Sequence, residues 1–152
     1  MKVFESFGDI LSSVGQEIAL SEWVLITQER IDQFAQASGD HQWIHTDPLR
    51  AATGPFKSTI AHGFLTLSLI PHLFELSVKM PDCSMGINYG LNKVRFTDVV
   101  AVNSAIRAKF VLAHAEPLMD PSGLQTVWDV ELSKEASPKP VCVAQCVWRH
   151  YA

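Results

Sequence analysis

Residues 64–74 are apolar on nearly all sides of a helix, with hydrophobic side chains at seven of the eleven positions rather than at every third or fourth. A helix that is apolar on all sides is expected to lie buried inside other structure. Pro71 removes one backbone donor from this segment and should kink or loosen the helix there. The pattern therefore predicts one central helix with the rest of the chain wrapped around it.

The segments before this helix have a mixed pattern. Residues 5–15 suggest a short helix, and the alternation in residues 17–25 predicts a strand. A further helix should begin after Thr27, a capping residue, and end at Gly39, where glycine can adopt the left-handed conformation. Residues 48–52 suggest another helical turn, which Gly54 and the proline after it would close.

After the central helix, the sequence changes to alternating β-branched and aromatic residues, which are typical of strands. Turn-forming residues at Asn103, 117–123 and 137–140 divide it into four strands, at residues 85–96, 104–115, 125–133 and 141–151. One buried helix followed by a run of antiparallel strands predicts an α+β fold in which the sheet curls around the helix. With 152 residues, the chain is expected to form a single domain, residues 1–152.

Composition and charge narrow the function classes. The chain carries a net charge of −4, which argues against nucleic acid as a partner. It contains no apolar run of membrane-spanning length and no basic-then-apolar leader, so we expect a cytoplasmic protein that does not enter membranes. The three cysteines match neither a disulfide framework nor a zinc site.

The most polar feature is the loop at residues 38–48, which follows a predicted helix end. Asp40 and His45 are five residues apart, so a loop can bring both side chains to one water molecule and make it a nucleophile. Alternatively, Asp40 caps the next turn and His45 is a hydrogen-bonded loop residue. With His41 and Asp47 the loop also offers metal ligands, but without a recognised spacing, and we expect no metal.

His62 and Gly63 begin the central helix. The first turn of a helix has unpaired N–H groups, and glycine lets a substrate carbonyl approach them, so Gly63 could hold developing negative charge. Alternatively, Gly63 only permits close packing, and His62 caps the helix or faces solvent. These residues alone favour neither reading.

Three motifs in this order resemble the MaoC-like dehydratases, the family of (R)-specific enoyl-CoA hydratases, and among them the nodulation protein N-like branch. The motifs lie at residues 34–40 (FAQASGD), 45–48 (HTDP) and 60–63 (IAHG), and the strand at 90–96 (GLNKVRF) extends the similarity. The resemblance implies a hot dog fold, an antiparallel sheet around a long central helix at residues 60–79, usually assembled as a homodimer. Residues 40–59 would overhang that helix and carry the catalytic pair.

The same resemblance implies hydration of a trans-2-enoyl thioester, or the reverse dehydration, by a hydro-lyase of fatty acid metabolism. Asp40 and His45 would be catalytic, and Gly63 would form the oxyanion hole. Coenzyme A or an acyl carrier would enter as part of the substrate, without a separate cofactor. The substrate-binding residues would be Gln42, Trp43, Phe56, His62 and Leu65.

The position of Gln42 and Trp43 departs from the usual family form, which has Asn-Pro there, so the shape of the loop is expected to differ. Two alternatives remain. A hot dog thioesterase would use the same oxyanion site to hydrolyse the thioester, and a non-catalytic module would bind acyl thioesters without turning them over.

Overall fold

The computed structural model describes residues 1–119 and 123–152. The helices in these residues are α1 (Phe7–Ser12), α2 (Gln28–Ser38), α3 (Trp43–Thr46), α4 (Pro48–Thr53), α5 (Gly63–Ser68) and α6 (Ile70–Glu75). The strands are β1 (Lys2–Val3), β2 (Glu17–Leu20), β3 (Val24–Leu25), β4 (Val78–Lys79), β5 (Met85–Phe96), β6 (Ala105–Pro117), β7 (Gly123–Lys134) and β8 (Pro140–Tyr151).

The main sheet is antiparallel, with the order β2-β6-β7-β8-β5, and β3 also pairs with β6. Its four long strands confirm the four that the alternating pattern predicts, within about two residues at most ends. Strands β6, β7 and β8 bury alternate side chains, as expected for a sheet with one face on the core. Part of the predicted turn at 117–123 lies outside the described residues.

The central helix is α5 followed directly by α6, and it packs on the sheet. Phe74 of α6 makes edge-on contacts with Phe110, Trp128 and Trp148, with ring centroids 4.7–5.2 Å apart. The bounds 60–79 expected from the resemblance are wrong, because Ile60 pairs with Ala101 before the helix begins and β4 follows it. The arrangement is nevertheless the expected hot dog, a sheet around a buried helix.

The helical path is interrupted at Leu69, two residues before Pro71. Proline has no N–H to donate to the carbonyl of the residue four positions earlier, so the regular hydrogen-bond ladder cannot continue through this point. The predicted loosening of the helix at Pro71 is confirmed.

The strand predicted at residues 17–25 is wrong as a single element, because it divides into β2 and β3. Between them, the Ser21 hydroxyl accepts a hydrogen bond from the Ala108 N–H at 2.9 Å, and the Ser21 N–H donates to the Ala108 carbonyl at 2.8 Å. A side-chain oxygen thus replaces the main-chain acceptor of the ladder. The chain then resumes its pairing further along β6.

Capping hydrogen bonds fix where the helices begin and end in the segment that lies over the central helix. The Thr27 hydroxyl accepts from the Arg30 N–H, and α2 ends at Gly39 in the left-handed conformation (φ 78°), both as predicted. Asp47 caps α4 by accepting from the Arg50 N–H at 3.0 Å. These caps determine where the loop after α2 leaves and where the next helix starts.

Strand β5 forms one edge of the sheet, and only Val94 among its residues is even half-buried. Its exposed large side chains are Met85, Ile87, Tyr89, Leu91 and Phe96. A long apolar edge strand is a surface that proteins usually cover. Among the described residues, no helix has both the length and the apolar character needed to cross a membrane.

Candidate active site

Asp40 follows directly after the glycine that ends α2. Its backbone N–H donates to the Ser38 hydroxyl at 3.3 Å, and its carboxylate oxygen Oδ1 accepts from the Gln42 N–H at 3.3 Å. These local bonds shape the loop and leave the rest of the carboxylate exposed. Asp40 can therefore accept a further hydrogen bond from a water or a substrate.

His45 lies on α3 and is buried, with 7% of its surface exposed. Its Nδ1 is 2.7 Å from the Ile60 carbonyl oxygen. Because a carbonyl can only accept, Nδ1 must carry the hydrogen, and the neutral ring keeps its lone pair on Nε2. The bond to Ile60 thus fixes both the tautomer and the orientation of the ring.

The pKa of His45 lies below its ordinary value of 6.5. Burial is the largest cause, since it disfavours the charged form, and the positive charge that His62 can carry acts in the same direction. The hydrogen bond to Ile60 and the charge of Asp40 oppose the shift. At neutral pH, His45 is consequently an uncharged imidazole that can accept a proton on Nε2.

His62 is brought to the same place from the start of the central helix. Its ring stacks on that of His45, with centroids 3.8 Å apart and planes 22° apart, and its Nε2 is 2.9 Å from the Asp40 carbonyl oxygen. The side chain is 3% exposed and makes no capping hydrogen bond, so the reading that it caps the helix or faces solvent is wrong.

Asp40, His45 and His62 together place one carboxylate and two imidazole ligand atoms within 4.8 Å of one another. Each imidazole already directs one nitrogen at a carbonyl. Each ring therefore has only one nitrogen left to offer to a water or to a metal. The arrangement suits proton transfer better than chelation of a metal.

A cavity of about 350 Å³ lies beside His45 and Gly63. The Gly63 N–H has no hydrogen-bond acceptor among the described residues, as expected for the first residue of a helix. The Phe96 ring lies over Gly63, only 3.1 Å from where a Cβ would be. Gly63, with its free N–H, and the uncharged imidazole of His45 thus line the same cavity.

The five predicted substrate-binding residues lie outside the lining of this cavity, and so does Asp40. Trp43 packs against Gly54, and the Arg50 guanidinium carbon lies 4.4 Å from the centroid of the Trp43 ring. Leu65 is buried in the core, whereas Gln42 and Phe56 are exposed. Like His62, they stay predictions as contacts of the substrate.

The lining also contains residues that the sequence reasoning missed, namely Ile60, Thr66, Phe96, Asp98 and Val100. Helical spacing could have predicted Thr66, because it lies on the same face of the helix one turn after Gly63. The contribution of Ile60 to His45 is a main-chain carbonyl, for which the sequence carries no signal. Phe96 and Asp98 arrive from the end of a strand and the turn after it, more than thirty residues further along the chain.

The family model described as the MaoC like domain matches residues 9–127. The chain is 47% identical over its full 152 residues to 3-hydroxyacyl-thioester dehydratase Z of Mycobacterium tuberculosis, and it covers that protein completely. It is 42% identical to nodulation protein N of Rhizobium leguminosarum over 93% of this chain and 89% of that protein.

Among solved structures, (R)-hydratase PhaJ1 from Pseudomonas aeruginosa superposes with a TM-score of 0.67 at 27% identity, covering 89% of this chain and 79% of that one. The fold, the matched domain and the full-length relatives thus agree with the three motifs. This chain belongs to the family of MaoC-like dehydratases, in which it is similar both to a mycobacterial 3-hydroxyacyl-thioester dehydratase and to the nodulation protein N branch.

Proposed function

We propose that this protein is a hydro-lyase of fatty acid metabolism, an (R)-specific enoyl-CoA hydratase. It adds water across the 2,3 double bond of a trans-2-enoyl thioester and catalyses the reverse dehydration. The observation that carries the proposal is the uncharged, tautomer-fixed His45 beside both the Asp40 carboxylate and the free N–H of Gly63. The names of its relatives, a 3-hydroxyacyl-thioester dehydratase and an (R)-hydratase, support the same chemistry.

In the hydration direction, one water donates its hydrogens to His45 Nε2 and to the Asp40 carboxylate. The water oxygen attacks C3 of the substrate as His45 takes a proton, and the electron pair of the double bond moves toward the thioester oxygen. The adjacent Asp40 charge stabilises the imidazolium that forms. His45 then returns a proton to C2, so one water is added and the site regains its starting state.

The developing charge on the thioester oxygen needs a donor during this step. The Gly63 N–H supplies it at the start of the central helix, and one such donor typically contributes about 10²–10³ in rate. Because hydration transfers no net electrons, the reaction requires no redox cofactor. Coenzyme A, or an acyl carrier, takes part only as the thioester portion of the substrate.

The β5 edge described above supports a homodimer. Its exposed apolar side chains and unpaired backbone would be covered if two copies met edge to edge, because two-fold symmetry brings the same strand from each copy together.

Trp43, Phe56 and Leu65 are proposed to bound the path of the acyl chain, and Gln42 to orient the loop.

The assay uses crotonyl-CoA, following the absorbance of the conjugated alkene and the release of free thiol in parallel. The proposal expects loss of the alkene signal without free thiol. Asp40→Asn should abolish hydration and leave the thermal unfolding midpoint unchanged, because the carboxylate is exposed. Asp82→Asn, at another exposed aspartate, is the control and should keep full activity.

Two results would overturn the assignment as a hydratase. Free thiol without hydration would identify a thioesterase, and binding of crotonyl-CoA without turnover of either bond would identify a binding module. Wild-type hydration by Asp40→Asn would remove Asp40 from the mechanism.

A further inference from the structure

Among Asp40, His45 and His62, only His62 has no role in the proposed mechanism. Its ring contacts two others, with its centroid 3.8 Å from that of His45 and 5.0 Å from that of Phe34. A buried polar side chain normally has partners for its polar atoms. The Nδ1 of His62 has no hydrogen-bond partner among the described residues, so its position carries a cost that another interaction must offset.

That other interaction is with the loop that carries Asp40. The Asp40 carbonyl can only accept, so the hydrogen of a neutral His62 lies on Nε2, 2.9 Å away. This bond joins the start of the central helix to a residue 22 positions earlier in the chain. It is the direct tie between His62 and the main chain that carries the Asp40 carboxylate.

We propose that His62 is a positioning residue of the hydratase, holding the Asp40 main chain through Nε2–H and the His45 ring by stacking, so that both catalytic groups face one water. The inference rests on the proposed function. Neither contact requires His62 to touch the substrate. Holding two groups in a fixed relation to a reacting water removes orientational freedom that would otherwise oppose the reaction.

The electrostatic setting adds a second consequence. The titratable groups that face His62 are Asp40 and His45, and across the adjoining cavity Asp98 is paired with Lys134 at 2.7 Å. Because the two imidazole rings are in contact, a proton on either one repels a proton on the other. His62 thereby helps to keep His45 uncharged and able to accept a proton from water.

Two substitutions separate the contacts of His62. His62→Phe keeps a ring to stack on His45 but cannot donate to Asp40. His62→Gln keeps an amide N–H close to the position of Nε2 but loses the ring. His72→Gln, at an exposed histidine on α6, is the matched control and should behave as wild type.

With crotonyl-CoA as substrate, His62→Phe should lose about tenfold or more in kcat, with KM within about twofold, because orientation and not binding is affected. His62→Gln should retain a larger share of kcat, since the donor to Asp40 is kept. In both variants, the acidic limb of the kcat/KM profile should move to higher pH, because His45 no longer competes for a proton with a second imidazole in contact with it. A residue needed only for folding would not move this limb.

NMR titration of the His45 ring tests the inference independently of turnover. In the wild type, His45 should be the Nδ1–H tautomer with a pKa below 6.5, and in both variants that pKa should rise. If the proposed function is wrong, the wild-type protein will lack hydratase activity, while substitution of His62 will still change the pKa of His45. Wild-type kcat in His62→Phe, or a His45 titration unchanged in His62→Gln, would overturn the inference.

Discussion

His150 should make this protein sensitive to mild acid. Its side chain is buried on β8, where Nε2 lies 3.0 Å from the Thr126 hydroxyl. That hydroxyl accepts from the Trp128 indole N–H at 2.8 Å, so its own hydrogen is free to donate to the neutral imidazole. Burial lowers the pKa of His150 from 6.5 to about 4, because the charged ring would lose its hydration.

The sign and size of the effect follow from proton linkage. The unfolded chain binds a proton at His150 near pH 6.5, whereas the folded chain does so only near pH 4. The stability present above pH 6.5 is therefore lost as the pH falls toward 4, and the loss levels off below that. At about 1.4 kcal/mol per pH unit, the difference amounts to about 3 kcal/mol.

Thermal unfolding, measured at steps of half a pH unit between pH 7.5 and 4, reports this loss of stability. For a chain of this size, about 3 kcal/mol corresponds to about 6–12 °C in the unfolding midpoint. His150→Gln is the matched variant, because the amide oxygen can accept from Thr126 and does not titrate. His45 and the carboxylates titrate in both proteins, so the difference between the two curves isolates His150. Parallel curves across this range would refute the reasoning.

Two further substitutions test the oxyanion site and the core. Gly63→Ala should lower the kcat/KM of crotonyl-CoA hydration about 10²-fold while the protein stays folded, because the new Cβ meets the partly exposed Phe96 ring at 3.1 Å and obstructs access to the N–H. Gly8→Ala, the same substitution on α1, is the control. An unchanged kcat/KM in Gly63→Ala would contradict the oxyanion role. Phe74→Ala should cost about 3–5 kcal/mol in denaturant unfolding, since it removes the ring that contacts three aromatic side chains of the sheet. The same truncation at Leu49, which is 88% exposed, should cost less than about 0.5 kcal/mol, and equal losses at the two positions would count against the described core.

Much of the fold could be predicted because the signals are local. Thr27 and Gly39 set the ends of α2 through hydrogen bonds and backbone angles within a few residues. The long strands follow from side-chain alternation, which needs only the strand itself. Where a non-local contact intervenes, as when Ser21 takes over a ladder bond from β6, the local pattern gave one strand too few.

The candidate site divides in the same way. The spacing of Asp40 and His45, the glycine at the helix start and the family motifs identified the candidate catalytic residues. The spacing did not indicate that a carbonyl at Ile60 sets the tautomer of His45, because a main-chain group leaves no mark in the sequence. Nor did it predict that His62 stacks on His45 and donates to Asp40.

The sequence by itself determined the four long strands, the ends of α2, the family and the chemical groups available for catalysis, because capping, alternation and motif spacing act over short stretches of chain. Only the tertiary structure decided which of those groups meet. Asp40 and His62 are separated by 22 residues and two short helices, and their contact depends on how the loop after α2 closes over the central helix. Burial by the whole fold, a property of no single segment, then leaves His45 uncharged and ready to accept a proton.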